Sequence, residues 1–197
     1  MQPSIVNPWN ERLKNAIIFF ITHDRRTVKL TKLMKLLYFL DFKHYRESGR
    51  SVTGQEYLAW PKGPVPADVW HEIRRGEPRG CDLLSYVQPI EVPEKIDDFG
   101  FDLRLRQTAF DDYYFTPREK KILGNLSEIF KNIPAHMMVE ATHVPGQPWD
   151  KVIKTAGQGA PIPYKLALGG LPQDVIEEFE EERSDHEALD KFFAELS

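Results

Sequence analysis

Leu30-Thr31-Lys32-Leu33-Met34-Lys35-Leu36-Leu37-Tyr38-Phe39-Leu40-Asp41 is the stretch that decides the fold. Leu30, Leu33, Leu37 and Leu40 recur at helical spacing, and Met34, Leu36, Tyr38 and Phe39 widen that stripe until the middle is apolar nearly all round. A helix without a wet face belongs at the centre of a core, with other elements packed around it. Lys32, Lys35, Lys43 and Arg46 are expected to keep its ends in water, and Gly49 supplies a residue that tolerates positive φ just past the last turn.

Upstream, Asn7 followed by Pro8 reads as an N-cap with proline in the first turn. Leu13, Ile17, Phe20 and Ile21 then make the buried face of a first helix of about 15 residues. Downstream, Tyr57-Leu58-Ala59-Trp60 predicts a short strand. Lys62-Gly63-Pro64-Val65-Pro66 is expected to continue neither helix nor ladder, because both prolines lack an N–H. Val69, Trp70 and Ile73 predict a helix closed by Gly76, and Phe101, Leu103 and Leu105 alternate with polar residues as a half-buried strand does. The pattern is of β type from Cys81 to Phe115, Tyr113 to Phe115 could pair with that strand, and a small antiparallel sheet of three or four strands is expected. Thr116-Pro117-Arg118-Glu119 is a capping box opening another helix. Further helices are predicted from Ala135 to His143 and from Trp149 to Ala156. Gly157 to Gly170 reads as a linker or a surface wrap, and the tail as two short helices, Pro172 to Arg183 and one opened by Ser184-Asp185-His186-Glu187 with Leu189, Phe192, Phe193 and Leu196 on one side. The fold class expected is α+β: a mainly helical domain with a small antiparallel sheet packed against the helices, residues 1–168, followed by an acidic helical extension, 169–197.

With 197 residues, 41% apolar and 12% aromatic, the chain can build one sizeable core and is not of disordered type. Its single Cys81 allows no internal disulfide and no cysteine-based zinc site, which predicts a reducing, cytoplasmic setting. No secretory leader is read, and the longest apolar run, Ala16 to Ile21, falls far short of the ~18 residues that span a bilayer. A net charge of −4 conceals an asymmetry: ten bases against four acids from Glu11 to Arg50, but ten acids against two bases from Leu171 to Ser197. The two ends are either ordinary solvated faces, or the tail docks on the basic half or imitates a polyanion.

A search for catalytic groups yields little. Cys81 lacks the surroundings of a nucleophile, and His71-Glu72 is followed by Arg75 where a zinc-protease helix needs its second histidine. His136, Glu140 and His143 share one helical face and could converge on a metal, but no fourth ligand is identifiable; no metal and no cofactor is expected. No glycine loop of the phosphate-cradling kind occurs. Arg25, Arg26, Lys29, Lys32 and Lys35 make a basic stretch, yet the acidic balance and the lack of a recognition-helix signature argue against nucleic acid as the partner. What remains is a module that works by binding protein.

The run Lys32 to Asp41, then Gly54-Gln55-Glu56-Tyr57-Leu58-Ala59-Trp60, then Lys62-Gly63-Pro64-Val65-Pro66 resembles the Panacea domain, the SocA-like antitoxin family also described as phage-associated protein. Ala141-Thr142-His143 followed by Pro148-Trp149 resembles the family's second signature, and the likeness runs from about Leu13 to about Leu168. The resemblance implies a bacterial or prophage antitoxin that neutralises a cognate protein toxin by direct binding, some members delivering it to a protease; it says nothing of Leu171 to Ser197. Tyr38, Asp41, Gly63, Thr142, His143 and Trp149 are the signature positions, each with an available structural role. Asp41, on the most apolar helix, needs donors, and is expected to pin the Gly-Pro loop with help from His44, His143 or an amide near Gly63. The expected interface joins the exposed parts of Tyr57, Trp60, Lys62, Pro64, Val65 and Trp70 to a basic face of the central helix, Lys32 and Lys35. Alternatives are a DNA-binding regulator of its own operon, a homo-oligomer, and a small metal-dependent hydrolase.

Overall fold

The computed structural model describes residues 7–24, 27–91, 101–106 and 109–195. The chain is α+β and mainly helical, as expected, with helices gathered around one buried helix. Helix α1, Pro8–His23, starts where Asn7 accepts a hydrogen bond from the Trp9 amide at 3.0 Å. Helix α2, Leu30–Ser48, buries fourteen of its nineteen residues, so it has no solvent face over most of its length. It touches α1, the Gly-Pro segment, later helices and a short turn at 164–168. Gly49, at φ +69°, closes it through an amide bond to the Tyr45 carbonyl.

The expected strand, β1 (Tyr57–Trp60), is present, but the Gly-Pro segment is not an irregular loop. Gly63–Pro66 is strand β2, antiparallel to β1, with Ala59 opposite Pro64 and Tyr57 opposite Pro66. The physical reason is the alternation of an antiparallel ladder. Ala59 bonds through both N and O to Ala160 and Gly159, and the Tyr57 carbonyl takes the Ile162 amide. These two residues therefore turn their backbone groups away from β2, and each proline sits where no N–H is required. Gly157 to Gly170 thus wraps the edge of β1, the second of its two expected readings.

Helix α3, Ala67–Arg75, ends at Gly76. The alternating strand is β4, Phe101–Leu105, but its partner is β3, Val87–Glu91. Tyr113 instead lies in a 3₁₀ turn, Asp112–Tyr114, held by Asp111. Pro89 hides β3 from a pattern search, yet it faces Leu103, whose amide is committed to the Val28 carbonyl. Instead of one sheet of three or four strands, the described residues hold two hairpins, each leaning on helices.

Helix α4, Pro117–Phe130, has both bonds of the predicted capping box, and Glu119 also pairs with Arg12 of α1 at 2.7 Å. Helices α5, Ala135–Thr142, and α6, Pro148–Thr155, fall where expected. The tail is one helix rather than two, α7, Gln173–Glu195; the Ser184 to Glu187 box lies inside it, because a capping-type sequence does not by itself break a helix lacking glycine and proline. The stripe Leu189, Phe192, Phe193 and Leu196 lies outside the described side chains. Phe179 of α7 packs on Gly49, where a Cβ would stand 2.8 Å away, and Arg183 bonds the Tyr45 hydroxyl at 3.1 Å.

Candidate functional site

Two knots of side chains hold the signature positions. The first surrounds Asp41, which is fully buried. Its Oδ1 accepts the Val52 and Thr53 amides at 2.8 and 2.7 Å, and its Oδ2 the hydroxyls of Thr53, Tyr57 and Tyr164 at 2.5, 2.7 and 3.3 Å. Burial pushes the carboxyl above its ordinary range, and the bonds from Thr53, Tyr57 and Val52 pull back down. Asp41 therefore anchors the segment after Gly49, strand β1 through Tyr57, and the wrap at Tyr164, and takes no hydrogen bond from Gly63–Pro66 itself. His44 is not its partner; that ring bonds the Arg50 carbonyl at 2.7 Å.

Strand β2 is pinned by Lys35 instead. Its side chain is buried, its Nζ donates to the Pro64 carbonyl at 2.7 Å, and burial draws the amine down to about 7. At Gly63, φ +101°, a Cβ would stand 2.6 Å from Thr142 Oγ1 and 2.8 Å from Lys35 Nζ. Glycine is needed there both for backbone conformation and for the close approach of α2 and α5. Beside it, His143 stacks on Trp149 at 3.8 Å with ring planes 6° apart, and Trp149 Nε1 donates to the Trp60 carbonyl at 3.0 Å. The Tyr38 hydroxyl bonds the Trp149 backbone. Burial and the nearby Lys35 lower the His143 imidazole, with Asp150 opposing them.

The expected basic face of α2 is not a face. Lys32 is buried, paired with Asp24 at 2.5 Å and bonded to the Phe130 carbonyl at 2.7 Å, and Lys35 points into the hairpin. A helix buried all round can carry lysines only by sending their amines to acceptors under its neighbours. Tyr57 and Pro64 are buried as well. Arg25 and Arg26 lie outside the described residues.

What the structure does bring together is a cleft of about 230 Å³ between α2, the hairpin and α3, lined by Met34, Lys35, Trp60, Lys62, Val65 and Trp70, with Thr31 and Pro61. Trp60 and Trp70 meet edge to face at 4.9 Å, and the Arg75 guanidinium lies 5.3 Å over the Trp70 ring. Five of the eight residues expected at the interface thus share one apolar wall. Thr31 and Met34 were missed, because on so apolar a helix nothing in the sequence separates a cleft position from a core one. Tyr164 was missed because it stands in a glycine- and proline-rich run.

Among the described residues no three histidine, cysteine, aspartate or glutamate side chains gather as metal ligands. His136 and Glu140 are exposed, while His143 is committed to Trp149. The buried thiol of Cys81 is pushed up by burial and by Glu72 and Asp68, the reverse of nucleophile activation. Glu72 holds the loop below α3, taking the Arg79 and Leu83 amides. No described helix is long and apolar enough to cross a membrane.

The architecture is that of a helical module presenting an apolar cleft beside a rigid proline hairpin. The family described as antitoxin SocA-like, Panacea domain, matches residues 33–150, more than half of the chain, and the chain belongs to it. Both knots and the cleft fall within the matched span, except Tyr164 and Thr31. No curated protein and no solved structure matches the chain.

Proposed function

We propose that this protein is a cytoplasmic antitoxin that neutralises a cognate protein toxin by direct binding, without catalysis, and that the Trp60–Trp70 cleft is where the toxin is anchored. Membership of an antitoxin family carries the reading. The cleft supports it: two indole rings held against a stiff hairpin offer apolar area with little conformational freedom left to lose on binding. The extension 169–197 is an appended segment whose first half folds back on α2.

The test is co-expression with the product of the adjacent gene. Wild-type chain restores growth, and Trp70→Ala, checked for intact helical signal, does not. A neighbouring product that is harmless alone, or rescue by Trp70→Ala equal to wild type, overturns the assignment or the cleft respectively. If the chain also delivers its partner to a protease, the partner's half-life shortens in its presence.

A further inference from the structure

A second cavity, lined in part by Thr142, shares no residue with the cleft. It encloses about 600 Å³ among α2, α4, α5, α6 and the turn at 164–168. That is the size range of small-molecule sites. Three of its lining residues are cations, Lys43, Arg46 and Lys151, and none is an acid, in a chain where 30 acids outnumber 26 bases. Two of these cations converge. Arg46 NH1 donates to the carbonyls of Ala167 and Gly169 at 2.6 and 3.0 Å, which fixes the guanidinium without neutralising it. The Lys151 amine lies 3.1 Å from the point where a Cβ on Gly169 would stand, so both charges meet at that glycine. Among the described residues neither pairs with a carboxylate, whereas Lys43, at the rim, is shared with Glu47 at 2.8 Å. The rest of the wall is mostly apolar, with Phe39, Leu126 and Val144 beside the polar Thr142 and Gln147.

One fixed and one adjustable cation beside a mostly apolar wall suit an anion attached to a ring. We propose that this cavity binds a small phosphorylated molecule carrying a planar ring, of the nucleotide class, with its phosphate between Arg46 and Lys151 and its ring against the Phe39 wall. The arginine, held by two carbonyls, supplies a directed pair of donors, and the lysine supplies an adjustable charge. The site is separate from the toxin reading: a chain that fails to rescue growth can still bind here, and the reverse.

The full chain is titrated with adenosine monophosphate, adenosine and inorganic phosphate by calorimetry, and the titrations are repeated on Lys151→Glu, an exposed position whose change leaves the core intact. The monophosphate is expected to saturate, to bind more tightly than either fragment, and to lose about tenfold or more in affinity in Lys151→Glu. Lys43→Glu, at the rim, loses less. The proposal is overturned if millimolar monophosphate gives no saturable heat with folded protein, if adenosine or phosphate alone binds equally well, or if Lys151→Glu binds unchanged.

Discussion

Replacing Asp41 removes the acceptor for two amides and the hydroxyls of Thr53 and Tyr57, and the outcome depends on what replaces it. In Asp41→Ala the Val52 and Thr53 amides, 2.8 and 2.7 Å from Oδ1, are left buried without a partner. Each such group costs about 1–3 kcal/mol, so about 4 kcal/mol is lost from the two amides together. The hydroxyls add less, since Tyr164 retains its 2.6 Å bond to the Gln55 carbonyl and the others can turn. Against a typical domain stability of about 5–15 kcal/mol this is a severe loss. Asp41→Asn keeps an oxygen for both amides and offers an NH₂ to hydroxyls able to accept, so it gives up about one net hydrogen bond, about 1 kcal/mol. Urea unfolding followed by tryptophan fluorescence reads both values. The pH dependence adds a second check. Because burial raises the folded carboxyl above its ordinary 3.8, the native state holds that proton to higher pH than the unfolded chain does. Wild-type stability from this group is therefore full below that value and declines as pH rises through the folded one. Asp41→Asn lacks this slope, so the gap between the two proteins is widest in acid and narrows above it. An Asp41→Ala protein within 1 kcal/mol of wild type, on the same scale of about 1–3 kcal/mol per unsatisfied group, would refute the assignment of Asp41 as the anchor.

Lys35 titrates with the opposite sign: its amine falls from 10.5 to about 7 in the fold, so stability rises as pH climbs from about 7 toward 10.5, and Lys35→Met flattens that rise in thermal melts. Gly63→Ala must place a methyl against Thr142 and Lys35 at positive φ, and is expected to lose about 2 kcal/mol or more by chemical denaturation. Thr142→Ala in the same chain recovers only the steric part. Deleting the residues after Gly170 uncovers the Phe179 contact with Gly49 and lowers the melting temperature, while toxin neutralisation tells whether the segment also touches the partner.

Local patterns carried much of this molecule. The run from Leu30 to Leu40 announced a central helix, Asn7-Pro8 and Thr116 to Glu119 announced two helix starts, and Phe101 to Leu105 announced a strand, because burial periodicity and capping act between near neighbours. Gly63–Pro66, read as no strand, and Val87–Glu91, inside a β-patterned stretch but not singled out, both contain proline. Proline argues against a ladder only where its nitrogen faces the partner, and which way a residue faces is set by register. The same limit applied to charge. Lys32 and Lys35 read as an exposed basic face, yet their amines reach Asp24 and the Pro64 carbonyl.

By itself, then, the sequence determined most of the helices, the central place of α2, and the signature positions that mark the family. The tertiary structure decided what those positions do: that Asp41 holds Thr53, Tyr57 and Tyr164 while Lys35 holds the hairpin, and that Trp60 and Trp70 meet across a cleft. The reason is the range of the forces. Helix and strand preferences arise within a few residues, whereas the partner of a buried charge can stand more than a hundred residues away, as Tyr164 does from Asp41, and only packing brings the two together.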